Sequence, residues 1–447
     1  MTKNLFGTDG IRGVPNSGSL EPDNILKIAI ATAGVLGSTG RHNKVLIGKD
    51  TRLSGYLLEN ALTAGFIASG TDVFLVGPMP TPGISMLTKS LRADLGIMIS
   101  ASHNPYQDNG IKIFGGDGYK ISDDMQAEIS RKVLNGSWKN YFATPDNLGK
   151  AKRIEDAQGR YIEFVKNTFP KGLSLNGLRV VLDCANGATY HIGPTILWEL
   201  GAEVITIANT PDGYNINEKC GATHPELLIE NVKKLRADIG IALDGDGDRV
   251  LIVDEKGHVI DGDQILTLIA SYWKKTGILK QNTVISTVMA NKAMEDYLNK
   301  ININVIRTQV GDRYVMQAMQ ENSVNLGGEQ SGHIIMSDYA TTGDGLIAAL
   351  QVLAVVAEQK KPASEICRVF KPYPQICKNV KFKNSNPLEK EEIKVFINSV
   401  QTTNSSNARI LVRKSGTEPL IRIMVEGKDS NLINNLANEI EEKISLA

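Results

Sequence analysis

The sequence predicts an α/β protein built from related units, followed by a smaller α+β domain near its C-terminal end. One phrase occurs twice, as Leu-Arg-Ala-Asp-Leu-Gly-Ile at 91–97 and as Leu-Arg-Ala-Asp-Ile-Gly-Ile at 235–241, with six identities in seven. Short apolar runs alternate with helical stretches, which is typical of βαβ units around a largely parallel, buried sheet. At 447 residues the chain is too long for one core, and this length predicts about three or four domains.

The repeated phrase predicts a duplicated unit, because each copy leads into a polar loop of unusual composition. A common helix-to-strand junction would explain the phrase alone, but not the two loops. A weaker third copy, at 324–333, again opens from a short apolar stretch into a glycine-rich loop. Upstream of each loop we predict a strand, a helix and a second strand. The first strands begin near Lys44, Leu178 and Asn282, and the second strands lie at 71–77, 202–208 and 303–310.

The C-terminal part does not repeat this unit. We predict four domains, at 1–150, 151–255, 256–370 and 371–447, and the segments 135–150, 254–262 and 359–374 are the candidate linkers. In the fourth domain the pattern predicts strands at 375–382, 408–413 and 420–426 and helices at 387–400 and 429–444.

Charge and hydropathy exclude several classes of function. Lys plus Arg equals Asp plus Glu, at 49 each, so the composition provides no global basic field for nucleic acid or for a membrane surface. No apolar run reaches the roughly 18 residues that span a bilayer, and the longest candidate, 345–357, contains Gln351 and predicts a buried helix. The N-terminal residues lack a signal-peptide core, and the four cysteines have no metal-type spacing. We therefore expect a cytoplasmic protein with reduced thiols that binds neither nucleic acid nor membrane.

Three aspartates predict a metal site. Asp244, Asp246 and Asp248 alternate with glycines, so their carboxylates can converge on one cation, and such hard ligands select Mg²⁺, Ca²⁺ or Mn²⁺. An EF-hand is rejected, because Arg249 occupies its sixth position and 250–253 is an apolar strand. A solvated acidic turn is disfavoured, since three like charges within five residues repel one another.

The loop around Ser102 predicts a nucleophile. No Gly-x-Ser-x-Gly elbow surrounds this serine, so a hydrolase triad is not indicated, and a serine that carries and passes on a phosphoryl group is the alternative. Phosphoryl transfer depends on metal and cationic charge more than on a strong base. His103 and Lys112 lie close in sequence and can supply charge or protons, although His103 can equally be structural.

Two further loops predict substrate contacts. Glu329, Ser331 and His333 lie in a glycine-rich loop, where a carboxylate and a hydroxyl suit sugar hydroxyls or an ammonium group on a sugar. The turn at 413–417 combines cations, hydroxyls and backbone N–H groups, as a phosphate site does. The chain contains no Walker A loop, which disfavours an ATP-dependent kinase.

Together these motifs resemble the α-D-phosphohexomutase family. The resemblance runs from Phe-Gly-Thr-Asp-Gly-Ile-Arg-Gly at 6–13 to the Arg-Lys-Ser-Gly-Thr-Glu-Pro turn at 413–419, and so covers essentially the whole chain. The loop 327–333, with Val-Gly-Asp-Arg-Tyr at 310–314, resembles the phosphoglucosamine branch. The stretch 115–120 (Gly-Gly-Asp-Gly-Tyr-Lys) is slightly unusual for that branch.

The resemblance implies three related α/β domains and a fourth, TATA-binding-protein-like α+β domain around a central cleft. It implies that phosphorylated Ser102 interconverts glucosamine 6-phosphate and glucosamine 1-phosphate through glucosamine 1,6-bisphosphate, on the route to cell-wall amino sugars. One Mg²⁺ would be held by Asp244, Asp246, Asp248 and a phosphoserine oxygen. Glu329 and Ser331 would bind sugar hydroxyls, and Arg413, Ser415, Gly416 and Thr417 the phosphate that is not reacting. The remaining cleft positions are Arg12, His103, Lys112, Arg249 and His333.

Three alternatives stay open on the sequence alone. A metal-dependent sugar phosphatase would need no second phosphate site, and a non-catalytic sugar-phosphate sensor would be expected to lose the serine or the aspartates. Within the family, the alternative is a phosphoglucomutase/phosphomannomutase. The partners we expect are small sugar phosphates, and a homodimer is allowed.

Overall fold

The computed structural model describes residues 5–7, 9–37, 42–382, 386–415 and 420–446. The chain divides into two compact units. The large unit comprises Met1–Met289 and Val305–Val369, and the small unit comprises Ala290–Asn304 and Phe370–Ala447.

The first sheet of the large unit has six strands. β2 (Lys44–Lys49) is parallel to β3 (Asp72–Pro78) and to β4 (Leu95–Ile99), whereas β5 (Asn109–Gly115) is antiparallel to β4. All five residues of β4 are buried, as expected for a central strand covered on both faces. With β1 (Ile11–Gly13) and β6 (Ala151–Arg153) the order is β1-β5-β4-β2-β3-β6, and the helices are α1 (Pro22–Leu36), α2 (Ser54–Ala68), α3 (Thr81–Ser90) and α4 (Asp123–Leu134).

The second sheet repeats this arrangement with five strands. β7 (Arg179–Asp183) is parallel to β8 (Glu203–Ile207) and to β9 (Ile239–Leu243), and β10 (Val250–Asp254) is antiparallel to β9. The segment 254–262, predicted to be a linker, instead folds back on this sheet: β11 (Val259–Ile260) pairs antiparallel with β10, because its apolar residues continue the sheet. The order is β11-β10-β9-β7-β8, and the helices are α5 (Ala157–Lys166), α6 (Ile192–Glu199) and α7 (Glu226–Lys234).

The third sheet is the shortest version of the unit, with the order β13-β12-β14-β15. Its strands are β12 (Thr283–Thr287), β13 (Asn304–Thr308), β14 (Leu326–Gly328) and β15 (Ile334–Met336). The helices along this part of the chain are α8 (Gly262–Thr276), α9 (Lys292–Lys300, assigned to the small unit), α10 (Asp312–Glu321), α11 (Gly345–Gln359) and α12 (Ala363–Ile366). The predicted buried helix at 345–357 is confirmed as α11. Inside it, Gln351 accepts from Trp273 Nε1 at 3.2 Å and donates to Thr168 O at 2.9 Å, so its burial leaves no unpaired amide.

The strand order confirms the predicted duplication. In all three sheets the third strand of the unit (β4, β9 or β14) lies beside the first strand and is followed by an antiparallel partner. The loops after β4, β9 and β14 therefore occupy equivalent positions, and they contain Ser102, the three aspartates and Glu329.

The repeated phrase has a physical explanation in the junction between helix and strand. Arg92 and Arg236 both adopt φ of 51°, which ends the helix in a left-handed turn. Two residues later, Asp94 and Asp238 accept the backbone N–H at the beginning of the first strand of their own repeated unit (β2 and β7), at 2.8 and 2.7 Å. Each copy thus joins three elements of one unit.

The third copy makes the same junction with different residues. Ser323 has φ of 53°, and Asn325 takes the place of the aspartate: it accepts Lys280 N at 2.9 Å, in the 3-10 turn just before β12. Gly327 leaves no room for a side chain, since a Cβ there would lie 2.7 Å from Met319 Sδ. The weak sequence match at 324–333 therefore marks a true structural repeat.

The small unit follows the predicted order of strand, helix, strand, strand and helix. Its antiparallel sheet has the order β16-β18-β17, and helix α9 belongs to the same unit. Within it, buried Glu426 pairs with Arg409 and accepts Lys292 N at 3.1 Å. Likeness to a TATA-binding protein and the four domain boundaries stay predictions. The elements are β16 (Gln375–Lys381), α13 (Glu391–Thr403), β17 (Ala408–Lys414), β18 (Leu420–Gly427) and α14 (Ser430–Ser445).

Short 3-10 turns complete the described secondary structure, at Gly18–Leu20, Ser137–Tyr141, Pro145–Asn147, Lys280–Asn282 and Pro387–Glu389. None of the helices in the described ranges reaches the length and apolar character that crossing a membrane requires.

Candidate functional site

The loops after β4 and β9 meet through a buried hydrogen bond. The hydroxyl of Ser102 donates to Asp244 Oδ2 at 2.7 Å, and both residues are 1% exposed. Gly245 makes this approach possible, because a Cβ at that position would lie 2.7 Å from the carbonyl oxygen of Ser102. The structure therefore brings the predicted nucleophile and the predicted metal loop together.

The three aspartates form a compact acidic cluster. Asp244, Asp246 and Asp248 are all buried, and each offers a carboxylate oxygen within 4.8 Å of the others. In the described part of the chain, Asp246 Oδ1 and Asp248 Oδ1 are buried without a hydrogen-bond partner. Unpaired buried carboxylate oxygens are costly unless a cation binds them. The donor set therefore fits a hard divalent cation.

Lys112 supplies one positive charge to this cluster. It lies on β5, buried, with its ammonium 2.8 Å from Asp246 Oδ2 and 3.1 Å from Asp248 Oδ2. Burial alone lowers the pKa of Lys112, but the carboxylates of Asp246 and Asp248 outweigh it and hold that pKa well above its ordinary value. One ammonium does not balance three carboxylates, and burial together with Asp248 and Asp246 raises the pKa of Asp244.

Two predicted residues, His103 and Arg12, lie beside this centre. His103 Nδ1 is 3.4 Å from the Ser102 hydroxyl, and burial, Arg249 and Arg12 together lower the pKa of the imidazole to about 4. Arg12 pairs with Asp9 at 2.6 Å and remains partly exposed. His103 thus lies beside the Ser102 hydroxyl, whereas Arg12 is linked to the acidic cluster through Asp9, which is 3.6 Å from the ammonium of Lys112.

His333 faces the acidic cluster from the loop after β14. Its Nε2 accepts the backbone N–H of Gly343 at 3.1 Å, which assigns the ring proton of the neutral imidazole to Nδ1. That nitrogen lies 3.6 Å from Asp248 Oδ1. The ring is 2% exposed, so its orientation is set by packing as well as by these contacts.

Arg249 connects the metal loop with the predicted sugar loop. Its backbone N–H donates to Asp244 Oδ1 at 3.1 Å, and its Nε lies 3.8 Å from Asp248 Oδ1. Burial tends to lower its pKa, but Asp248, Asp244 and Glu329 raise it overall. Glu329 accepts Gly311 N at 3.1 Å, while Ser331 is exposed.

The sequence interpretation missed Lys120, which links the segment around Asp9 with the beginning of α10. Its ammonium lies 2.5 Å from Asp9 Oδ1 and 2.5 Å from Asp312 Oδ2, and Asp312 is 3.7 Å from His333 Nε2. This lysine is the last residue of the stretch 115–120, and the unusual composition of that stretch is the sequence feature that could have indicated it.

Thr81, at the beginning of α3, was missed as well. Its hydroxyl donates to Asp246 Oδ2 at 2.5 Å, and its backbone N–H donates to the carbonyl of the same aspartate at 2.9 Å. These contacts orient Asp246 within the acidic cluster, and no local sequence pattern predicts them.

The small unit contains the rest of the predicted set. Arg413 on β17 lies directly opposite Arg422 on β18, and burial together with that second guanidinium lowers the pKa of Arg413. Ser415 is buried and its N–H donates to Leu420 O at 2.8 Å. Two facing guanidinium groups favour an anion. Gly416 and Thr417 lie outside the described residues.

Comparison with known proteins agrees with this architecture. Models of the phosphoglucomutase/phosphomannomutase family match the chain in order: alpha/beta/alpha domain I at 3–140, domain II at 159–257, domain III at 261–373 and the C-terminal domain at 378–443. The predicted fold of three related α/β domains and a different C-terminal domain is confirmed.

Individual relatives narrow the assignment. A phosphoglucosamine mutase of Parvibaculum lavamentivorans is 54% identical over 440 residues, which cover 98% of each chain. A phosphoglucomutase/phosphomannomutase family protein of Burkholderia thailandensis has the same fold, with a TM-score of 0.82 at 23% identity over 99% of this chain and 96% of that chain. The N-acetylphosphoglucosamine mutase of Aspergillus fumigatus, solved in complex with GlcNAc-6P and magnesium, has a TM-score of 0.66 at 18% identity over 98% and 95% of the two chains. By its full-length identity to curated members, this chain belongs to the phosphoglucosamine mutase family.

Proposed function

We propose that this protein interconverts glucosamine 6-phosphate and glucosamine 1-phosphate by phosphoryl transfer through Ser102. One observation carries the proposal: the buried Ser102 hydroxyl donates to Asp244, inside an acidic cluster in which two carboxylate oxygens have no hydrogen-bond partner among the described residues. Transfer of a phosphoryl group requires such a combination of an acceptor oxygen and a site for a cation. The curated relative described above has the same activity in its name.

The acidic cluster would hold one Mg²⁺. Asp244, Asp246 and Asp248 would be its protein ligands, and an oxygen of phosphorylated Ser102 would complete the set. When bound, the cation withdraws electron density from the phosphoryl group and offsets the charge that develops in transfer. Lys112, held between two of the aspartates, would add a fixed positive charge beside the same phosphoryl group.

The chemical step exchanges one phosphorus–oxygen bond for another. The bond from phosphorus to Ser102 Oγ breaks while a bond forms from phosphorus to a sugar hydroxyl oxygen. The sugar hydroxyl gives up its proton and the serine oxygen takes one up, so no net proton is released. This step forms the intermediate glucosamine 1,6-bisphosphate. The intermediate then reorients in the site and returns its other phosphoryl group to Ser102 by the reverse exchange. His103, with Nδ1 at 3.4 Å from the serine hydroxyl, is placed to exchange a proton with it.

Recognition would use the remaining predicted residues. Glu329 and Ser331 would bind sugar hydroxyls, and the carboxylate of Glu329 can also pair with the ammonium of glucosamine. Arg413, Ser415, Gly416 and Thr417 would bind the phosphate that is not reacting, a role supported by the facing guanidinium groups of Arg413 and Arg422. Arg12, Arg249 and His333 would supply electrostatic support. A cytoplasmic location and a homodimer stay predictions.

A substrate comparison tests the proposal. The kcat/KM values for glucosamine, glucose and mannose 1-phosphates, each primed with its own bisphosphate, should be highest for the glucosamine compound, with residual activity on glucose 1-phosphate. A polar site discriminates strongly when the wrong substrate leaves a buried group unpaired. Equal or higher values for glucose or mannose would assign the chain to the phosphoglucomutase/phosphomannomutase branch. Release of free phosphate at the rate of sugar-phosphate consumption would instead indicate a phosphatase.

A further inference from the structure

The backbone of the serine loop is held by one buried guanidinium group. Arg52 Nη2 donates to the carbonyl oxygen of Ser102 at 2.9 Å and to that of Asn104 at 2.8 Å. Its Nη1 donates to the carbonyl oxygens of Pro105 and Asp108, the latter at 3.1 Å. Arg52 is 1% exposed. Four carbonyl oxygens of one loop therefore converge on a single side chain.

Arg52 is itself fixed by a buried carboxylate. Its Nε donates to Asp50 Oδ2 at 2.8 Å, and its backbone N–H donates to Asp50 Oδ1 at 2.9 Å. The same Oδ2 accepts the hydroxyl of Ser100 at 2.6 Å, and Ser100 Oγ accepts the backbone N–H of Ser102 at 2.9 Å. The amide and the carbonyl of Ser102 are thus both linked to the Asp50–Arg52 pair.

A second donor reaches the loop from the chain segment that follows β8. Asn217 Nδ2 donates to the carbonyl oxygens of Ser102 and Asn104, at 3.0 Å each. These are two of the oxygens that Arg52 contacts. Each of these two carbonyls therefore accepts two hydrogen bonds, as many as its two lone pairs allow.

The backbone conformation of Ser102 explains why these hydrogen bonds are needed. Its φ is 54°, in the left-handed region that a residue with a side chain rarely adopts. Such a conformation persists where the surroundings over-determine it, and it is concentrated at functional sites. In the described part of the chain, Arg52 contacts backbone oxygens and Asp50, and neither the Ser102 hydroxyl nor the acidic cluster.

We propose that Arg52 is the positioning residue of the phosphoserine: it locks the backbone of Ser102 so that the transferred group stays aligned with Asp244 and Lys112. This inference rests on the proposed function. It assigns Arg52 a geometric role, because its forked guanidinium can serve several carbonyls at once, which the single ammonium of lysine cannot do. Misplacement of a reacting atom by about 1 Å can cost about a hundredfold in rate.

The test is Arg52→Lys, which keeps the charge and removes the fork. The full-length variant and the wild type are phosphorylated, and the phosphate on Ser102 is quantified by intact mass. The single-turnover rate of transfer to glucosamine 1-phosphate, expressed per phosphorylated serine, should fall about tenfold to a hundredfold. KM should stay within about threefold, since the sugar contacts are unchanged, and amide hydrogen exchange at 100–108 should become faster.

Two further variants make the result interpretable. Arg131→Lys alters an arginine whose described partner is Glu128, on an exposed helix face, and it should change neither the rate nor the exchange. Asn217→Gly tolerates the φ of 58° at that position and deletes the second donor. It should also lower the rate per phosphorylated serine, and it replaces Arg52→Lys in the test if that variant does not fold.

The outcomes separate the two proposals. A rate per phosphorylated serine within threefold of the wild type in the folded Arg52→Lys variant, or in Asn217→Gly if only that variant folds, would overturn the positioning role. A loss explained wholly by a smaller folded or phosphorylated fraction would overturn it as well. A wild type that neither carries phosphate on Ser102 nor converts glucosamine phosphates would refute the proposed function, and the inference with it. Faster exchange at 100–108 together with a slower transfer step would support Arg52 specifically.

Discussion

At the scale of single residues, the chemistry depends on how Ser102 is buried. A serine in a loop ordinarily exposes its hydroxyl or uses it to cap a turn. Here the hydroxyl is enclosed and directed at Asp244, and the backbone is held in a left-handed conformation. The residue therefore contributes little to the apolar core, and its replacement should affect reactivity far more than folding.

Replacing this serine gives the first prediction. Ser102→Ala should abolish mutase turnover, because no oxygen remains to carry the phosphoryl group, while the melting temperature should change by only a few degrees. A coupled assay and intact-mass analysis would measure activity and bound phosphate. Ser90→Ala, at an exposed serine that ends α3, is the matched control and should behave as the wild type. Near wild-type turnover in Ser102→Ala would contradict the assignment.

At the scale of elements, the same junction of helix and strand places three different loops at equivalent positions. A left-handed residue ends the helix, and a polar side chain accepts a backbone N–H of the neighbouring strand or, in the third unit, of the turn before it. A glycine then lets the next strand pack closely. The junction carries no chemistry of its own, so the loops that follow can diverge. The site then depends on the close approach of two of these loops, those after β4 and β9.

Gly245 offers a test of that close approach. A Cβ there would lie 2.7 Å from Ser102 O and 2.8 Å from Asn217 Nδ2, and the serine carbonyl is already held by Arg52. Gly245→Ala should therefore destabilise the protein by about 1–3 kcal/mol through overpacking. Because the two loops must separate, it should also lower turnover at least tenfold.

Gly159→Ala is the matched control for this change. Gly159 lies in α5, and a Cβ there would meet no heavy atom within 4 Å. Helix propensity should make this variant more stable by up to about 1 kcal/mol, with unchanged activity. Chemical denaturation and the same assay would compare the pair. If Gly245→Ala were as stable and as active as its control, the packing argument would fail.

At the scale of the whole molecule, folding and catalysis draw on different residues. The second and third sheets each share an apolar cluster with the helices packed on them, for example Val181, Leu228 and Val253 at the second sheet and Ile285, Val315 and Ile335 at the third. The acidic cluster lies in the loops beyond these cores. Its three carboxylates repel one another, so the cluster is held in place by the fold and does not organise it.

Removal of the metal should therefore separate activity from stability. A chelator should abolish turnover, and added Mg²⁺ should restore it, while the melting temperature shifts by only a few degrees, in contrast to a structural metal site. Asp246→Asn should lower kcat by about a hundredfold or more through lost charge stabilisation, with Asp124→Asn, at an exposed aspartate in α4, as the control. Unfolding on chelation would show that the site is structural.

The sequence by itself determined those features that depend on the local pattern of residues, namely strands, helices and the spacing of the metal ligands. The apolar runs located the first two strands of each repeated unit and the order of the C-terminal unit, because burial on both faces requires a continuous apolar run. They did not predict the antiparallel strands β5 and β15. The spacing of Asp244, Asp246 and Asp248 indicated a metal site, because alternate positions separated by glycine can converge. The sequence did not predict that the candidate linker 254–262 would contribute a strand, β11, to the second sheet.

Only the tertiary structure decided which distant groups complete the site. Thr81 reaches Asp246 across 165 positions, Lys120 reaches Asp312 across 192, and Asn217 reaches Ser102 across 115. Arg52, 50 positions from the serine, looked like an ordinary charged residue in a loop. Local propensity cannot identify such partners, because their contacts arise when separate sheets pack together and bring their loops to one place. The physical reason is that a hydrogen bond depends on distance in space, and the fold, not the order of residues along the chain, sets that distance.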